Sequence, residues 1–275
     1  MSTDLTKLPD LEKDYPLTGE QITSFQNNGH ILLRGIVTAA EIEAYRVEIL
    51  KVVKEQSKGQ KPLSERDAYG QAFLQITNIW EFDEAVRKFV FGRRFAQIAA
   101  QLMGVSGARL YHDQALFKEP GGGVTPWHQD QYYWPLQTDN TITMWMPTVD
   151  ASAEMGTLQF ASGSHKAGYF GELEISTESQ QIFSKLVKDK GYAISKNGPM
   201  KAGDASFHYG WTLHCAEGNS TDRLREVMTI IYFPDGTIVG PADNKARNND
   251  LQRWLPGLKP GDVAASPLNP LLYKK

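Results

Sequence analysis

The spacing of apolar residues along the chain changes near residue 104, and that change organises everything else in the sequence. Before it, apolar positions recur at helical period. Thr18 followed by Glu20, Gln21, Ile22 and Phe25, ending near Gly29, predicts a short capped helix, and HILLRG (30–35) then predicts a brief strand. Thr38-Ala39-Ala40-Glu41 has the spacing of a capping box, in which a hydroxyl and a carboxylate each satisfy a backbone N–H that the helix leaves open. Ile42, Tyr45, Ile49 and Val52 follow at helical period until Ser57-Lys58-Gly59. Residues 57–70, SKGQKPLSERDAYG, carry charge, Gly and Pro, and are expected to form an exposed loop; the sequence does not say whether that loop is a lid. A second helical stretch from Phe82 to about Met103 carries Val86, Phe89, Phe95, Ile98 and Leu102, with a break near Gly92 and a stop at Gly104.

Beyond Gly104 the period becomes two. RLYHDQALFKE, TITMWMPTVD, GTLQFASG, DASFHYG and REVMTIIYF alternate, or carry β-branched and aromatic residues, with Gly, Pro, Asn or Asp between them. Helices first and antiparallel strands afterwards predict a mainly β fold with flanking helices, a sandwich or jelly roll buttressed on one side. From about Pro241 the tail holds Pro and Gly throughout, shows little periodicity and is expected to wrap the surface. The pattern predicts one domain over 1–275, with a helical buttress over about 1–104, a β core over about 105–235 and a tail over about 236–275. There is no internal repeat.

Composition narrows the function. A chain of 275 residues, 41% hydrophobic and 22% charged, is long enough to bury a full core in one unit. A net charge of -3 with a pI near 6.1 gives no broad basic face, which argues against nucleic acid as a partner. No secretory pattern opens the sequence, and no apolar run reaches the roughly 18 residues a membrane span needs, so a cytoplasmic protein without a membrane partner is expected. One cysteine, Cys215, excludes an internal disulfide or a Cys-based metal cage, so any metal must be held by His and carboxylate. Nothing in the pattern specifies an oligomeric state.

Candidate metal chemistry begins at TPWHQDQYY (125–133). On a strand, residues i and i+2 share a face, so His128 and Asp130 present an imidazole and a carboxylate to one side while Gln129 points away. A third ligand has to come from His30, His112, His165, His208 or His214. His30 sits at a helix-to-strand junction and His165 in a turn, and both read as structural; His112 lies on the preceding strand and reads as a packed polar residue. His214 is the better candidate, because a polar turn (Glu217 to Asp222) follows it and the chain returns as an apolar strand from Arg225. A hairpin there would set Arg225 beside His214. Two histidines and one carboxylate form the facial triad that suits iron(II), and an arginine supplies a permanently charged fork for a carboxylate. Zinc in a hydrolase or isomerase, or a non-catalytic metal-binding jelly roll, would use the same His and Asp set, but neither needs Arg225 at that spacing.

W-H-x-D, a Trp-bearing strand ending in Pro, SGSHK, a Gly-Asp turn and H-(x)10-R together resemble the phytanoyl-CoA dioxygenase family of iron(II)/2-oxoglutarate-dependent oxygenases. The similarity runs from NGHILLRG to the LPGLKPGD and SPLNPLLY of the tail. It implies a double-stranded β-helix (jelly roll, cupin-like), Fe(II) held by His128, Asp130 and His214, 2-oxoglutarate anchored by Arg225, and O2 as co-reactant. It also implies that Gln75, Gln114 and Trp145 line the cosubstrate site. Where relatives often carry a serine two places after the distal histidine, this chain has Ala216, which removes one expected hydrogen bond. Arg223 competes with Arg225 for the anchor, but precedes the apolar run and fits a surface charge. The implied activity is oxidation of an unactivated C–H, chiefly hydroxylation, with 2-oxoglutarate converted to succinate and CO2; desaturation, epimerisation or cyclisation share the same first step. Halogenating relatives lack the carboxylate that Asp130 supplies.

The substrate is expected to be a small molecule. Trp127, Tyr132, Tyr133 and Trp134, with Phe73, Trp80 and Trp211, suit an apolar or ring-containing compound, although each also suits a β core. Lys118, Arg66 and Lys166 could meet an anionic substrate group, but nothing marks them out from solvated surface charges. Cys215, next to a candidate ligand, should face the opposite side as a buried small residue.

Overall fold

The computed structural model describes residues 3–171 and 173–275. The chain opens with α1 (Gly19–Asn28), β1 (His30–Leu33) and α2 (Ala39–Gln56). Thr18 and Thr38 each close a capping box on their helix, and Gly29 ends α1 in the left-handed conformation. A short α3 (Ala68–Ala72) and β2 (Leu74–Thr77) precede α4 (Glu84–Val90) and α5 (Arg93–Met103), which are divided at Gly92 as the sequence predicts. Then come β3 (Gly107–Phe117), β4 (Thr125–His128), β5 (Ile142–Pro147), β6 (Leu158–Ala161), α6 (Thr177–Lys190), β7 (Ile194–Lys196), β8 (Ala205–Tyr209), β9 (His214–Ala216), β10 (Val227–Pro234), α7 (Lys245–Trp254) and β11 (Leu271–Lys274).

The strands make two antiparallel sheets. The larger runs β1-β8-β5-β10-β3-β11, with β2 also on β3, and the smaller runs β4-β9-β6-β7. Among the described residues the strands form no closed barrel. Alternation along the large sheet divides its two faces. Ile142, Met144 and Met146 of β5, Ala205 and Phe207 of β8, and Met228, Ile230 and Tyr232 of β10 pack with Phe25, Ile42, Ile49, Phe89, Phe95 and Ile98 of the helices in one core. Thr143 and Trp145, His208, and Thr229 occupy the alternate positions and line a cleft beneath the small sheet. In β3 the pairing with β10 slips between Ile230 and Tyr232, a bulge that turns both Tyr111 and His112 towards the cleft side.

Three expectations need correcting. The β core is interrupted by α6, which has its own capping box at Ser176 and buries Phe183 and Val187 against Trp127. The tail does more than wrap the surface: β11 extends the large sheet, and α7 lays Asp250, Arg253 and Trp254 over the cleft. Finally, β9 and β10 do not form a hairpin. They belong to different sheets, and Arg225 pairs across to Lys118 instead, because the turn after Ala216 crosses the sandwich rather than folding back in plane.

Candidate active site

The two sheets bring three candidate ligands to one point. His128 ends β4 and His214 begins β9, and the two are direct register partners with ring centroids 4.1 Å apart. Asp130 starts a 3-10 turn just past β4; Gln129 before it keeps extended backbone, so the i, i+2 relation holds although the strand itself has ended. Gln129 points away, bonding to the carbonyls of Gly168 and Trp211. One donor atom each from His128, Asp130 and His214 lies within 4.8 Å of the others.

The outer atoms of the three side chains are already engaged, which fits the set to a metal. Nδ1 of His128 is 2.7 Å from Pro126 O and Nδ1 of His214 is 2.9 Å from Thr212 O. With Nδ1 engaged in this way, each ring would have its Nε2, which faces Asp130 Oδ1 at 3.3 Å and 3.6 Å, to offer to a metal ion placed between them. Asp130 Oδ2 is held from the large sheet by Thr143 Oγ1 at 3.1 Å and His208 Nε2 at 3.2 Å. Burial would raise the Asp130 carboxyl, but the imidazoles of His214, His128 and His208 outweigh it and hold it well below the usual carboxylate range. Burial, then the neighbouring His128, pushes His214 well down. Neutral imidazoles with an ionised carboxylate could hold iron(II) as a facial triad.

Across the same cavity, of about 440 Å³, lies Arg225. It is 2% exposed; its Nη1 donates to Gly156 O, its Nε has no partner, and its guanidinium lies over the Trp145 ring at 5.3 Å. Gly156 has φ +77, and a Cβ there would stand 2.2 Å from Glu217 O, so only glycine brings this carbonyl to the arginine. Burial pushes Arg225 down to about 9, still charged at neutral pH. Arg223, by contrast, is exposed. Gln75 on β2, opposite Leu116, and Gln114 on β3, opposite Thr77, are diagonal neighbours whose side chains hydrogen-bond. All seven residues singled out in the sequence, His128, Asp130, His214, Arg225, Gln75, Gln114 and Trp145, line this one cavity.

Other expectations divide. Phe73, Tyr133 and Trp134 line the cavity, whereas Trp127, Tyr132, Trp80 and Trp211 do not. Trp127 packs towards α6, Trp80 against Phe91, and Trp211 donates to Asp139 at 2.7 Å. His30 and His165 are structural, bonded to Ser162 and Gln26 O and stacked on Phe160 and Tyr209. His112 lines the cavity, stacked on Trp254 at 4.8 Å; burial pushes it down to about 3, so it is neutral. Among the expected surface cations, Lys166 is exposed, Arg66 is paired with Glu119, and Lys118 is fully buried beside Arg225. The 57–70 segment is fastened by Arg66, to Glu119 and to Lys61 O. Cys215 is buried with Trp127 and Leu213, and burial pushes its thiol up to about 12.

Sequence reasoning named His208 only among the possible third ligands, not as a partner of Asp130, and missed Thr143, Asp250 and Trp254. The signal for His208 was the alternation Ala205/Phe207 against Ser206/His208, which puts this histidine on the face opposite the core. That for Asp250 and Trp254 was an Asn244 cap ahead of a weak apolar period.

The profile of the phytanoyl-CoA dioxygenase (PhyH) family matches residues 25–227. The chain belongs to that family. This PhyH-family protein is 27% identical over 221 residues to the 2-aminoethylphosphonate dioxygenase of uncultured bacterium HF130_AEPn_1, covering 78% of this chain and 81% of that one. Its fold is that of the non-heme alpha ketoglutarate dependent carbocyclase SnoK from nogalamycin biosynthesis (TM-score 0.76, 23% identity, 98% of this chain and 99% of that one). It is likewise that of the epimerase SnoN in complex with Fe3+, alpha ketoglutarate and nogalamycin RO (TM-score 0.73, 22% identity, 92% and 97%). The expected jelly-roll architecture and the expected enzyme class, a non-haem iron(II)/2-oxoglutarate-dependent dioxygenase, are both borne out. No helix among the described residues is long and apolar enough to cross a membrane.

Proposed function

We propose that this PhyH-family enzyme works as a single catalytic unit over 1–275, oxidising an unactivated C–H of a small molecule, by hydroxylation, inside the cell. The observation that supports it is the pairing, in one cavity, of a metal-ready His128, Asp130 and His214 with a buried, incompletely bonded Arg225. Bound iron(II), 2-oxoglutarate and O2 supply the chemistry: oxidative decarboxylation to succinate and CO2, coupled to removal of a hydrogen atom from the substrate. The chain's part is to place the reactants. His128 and His214 offer Nε2 lone pairs fixed by the bonds of Pro126 O and Thr212 O, and Asp130 offers Oδ1 while Thr143 and His208 occupy Oδ2. Arg225 pairs with the far carboxylate of 2-oxoglutarate, and its sandwiching against Trp145 keeps the fork aimed. Gln75, Gln114 and Trp145 line the cavity with Arg225, and Tyr133, Trp134 and Trp254, which line it too, offer aromatic surface for the substrate.

A second reading keeps the same site and changes the outcome to cyclisation or epimerisation. It is favoured by the match of the whole fold to a carbocyclase and an epimerase.

Anaerobic protein mixed with iron(II) and 2-oxoglutarate should develop a weak visible band near ~500 nm, as a chelated keto acid at a facial triad does. Absence of the band from folded protein would sink the reading. Arg225→Ala should mainly raise the 2-oxoglutarate concentration required, and Arg223→Ala should not.

A further inference from the structure

Among the described residues, every arginine has a carboxylate partner except Arg223, Arg225 and Arg253. Arg223 is exposed and does not line the cavity; Arg225 and Arg253 both do. A guanidinium is always charged, and its fork suits a carboxylate. The two forks that face the cavity are thus the ones the protein leaves without an acid of its own. The far carboxylate of 2-oxoglutarate accounts for Arg225. Nothing so far accounts for Arg253.

Arg253 lies in the last turn of α7 and is exposed, which puts it at the opening of the cavity. Its place is nevertheless fixed from two sides: Nη2 donates to Thr77 Oγ1 of β2 at 2.7 Å, and the guanidinium lies over the Trp254 ring at 4.4 Å. The bond to Thr77 uses one N–H of the fork and leaves others for a ligand. Trp254 stacks in turn on His112 at 4.8 Å, and His112 is near enough to Asp130 to feel its charge. The series Arg253, Trp254, His112 therefore runs from the opening towards the metal ligands, and Nδ1 of His112 is buried without a partner.

The acids nearby do not cancel Arg253. Asp250, one turn earlier on α7, has its Oδ2 on the Tyr111 hydroxyl at 3.1 Å, and burial pushes its carboxyl up to about 7, so near neutrality it holds a proton part of the time. Glu174, which also lines the cavity, is exposed and screened by water and salt. One guanidinium in such company matches a single negative charge better than two, which favours a carboxylate over a phosphate.

Resting on the reading that iron and 2-oxoglutarate occupy this cavity, we infer that the substrate carries a carboxylate bound by Arg253 at the opening, with Trp254 and His112 flanking the part of the substrate between that group and the metal. The helix α7 lies beyond residue 227, where the match to the family profile ends, so this recognition is separate from the frame of His128, Asp130, His214 and Arg225 that the profile covers.

The test titrates benzoate, its neutral amide benzamide, and phenyl phosphate into anaerobic protein loaded with iron(II) and 2-oxoglutarate, read by calorimetry; the bound cosubstrate keeps Arg225 occupied. Wild type should bind benzoate roughly tenfold or more tightly than benzamide, the worth of a hydrogen bond to a charged group, and more tightly than phenyl phosphate. Arg253→Gln should abolish the preference for benzoate while leaving benzamide binding, and the 2-oxoglutarate affinity read from the visible band, unchanged. Equal binding of benzoate and benzamide, no binding of benzoate, or a preference that survives Arg253→Gln overturns the role of Arg253, and tighter binding of phenyl phosphate overturns the carboxylate. A visible band that never forms in wild type refutes the iron and 2-oxoglutarate reading instead; the Arg253→Gln comparison is then made on the metal-free protein and still decides the anion site.

Discussion

The two faces of the large sheet are made by the same strands and do opposite work. Towards the helices, Ile142, Met144, Phe207, Met228 and Ile230 form an apolar layer that is wholly buried. Towards the small sheet, the intervening Thr143, Trp145, His208 and Thr229 are polar or aromatic and converge on the candidate iron and cosubstrate sites. Phe207 and His208 are consecutive residues, so a rigid core and a reactive cleft are separated by one peptide bond. Because the core face fixes each strand's register, it also fixes where the cleft residues stand. A fully buried phenylalanine contributes about 1.5–3 kcal/mol through area removed from water, whereas the polar residues on the other face contribute through the geometry they impose.

That contrast can be broken one residue at a time. The largest effect expected is on the core face: Phe207→Ala should cost about 3–5 kcal/mol of stability, measured by denaturant unfolding, while any protein still folded keeps its iron affinity. On the other face, His208→Gln or Thr143→Val should leave unfolding nearly unchanged and lower iron(II) affinity about 10- to 100-fold, the usual cost of losing a group that orients a ligand, measured by competition with a chelator. A comparable fall in stability in those variants would mean that the two faces do not divide the work.

A smaller effect separates the faces by pH. Burial, with Arg225 alongside, pushes Lys118 down to about 7, against about 10.4 in an unfolded chain. Between those values the unfolded state holds a proton that the folded state releases, so the contribution of Lys118 to stability rises with pH from about 7 towards about 10. Arg225 stays charged over most of that window, and the thiol of Cys215 titrates above it. The unfolding midpoint of the metal-free protein, taken relative to that of Lys118→Met, should climb between pH 7 and 9, because the buried Asp113 and Asp250, pushed up to about 8 and about 7, act in the opposite sense in both proteins and drop out of the difference. The smallest effect concerns Cys215, whose buried thiol faces Trp127 and away from the cavity: a thiol-alkylating reagent should leave native activity largely intact, and rapid inactivation would contradict its placement.

Much of this was legible in the sequence for local reasons. Capping boxes at Thr18 and Thr38, the break at Gly92 and the period-two runs are written in neighbouring residues, and each formed where it was read. His128 and Asp130 share a side because of the strand period alone. The helix α6 carried equally local signals, a Ser176 cap, Phe183 and Val187 at helical spacing, and Gly191 as a stop, and was simply overlooked. Lys118 was misjudged for a different reason. Lysine is almost always exposed, and only the loop from Gly121 to Gly123 closing over it reverses that.

The sequence by itself determined most of the elements, the shared side of His128 and Asp130, and, through spacing shared with a known family, His214 and Arg225 as their candidate partners. Tertiary structure alone decided which distant groups complete the cleft: His208 and Thr143 on Asp130, Lys118 beside Arg225, and Asp250 and Trp254 over the opening. The physical reason is that periodicity specifies which face of its own strand a side chain occupies. Which other strand it meets depends on sheet order, crossovers and bulges, and these are settled by the packing of the whole chain.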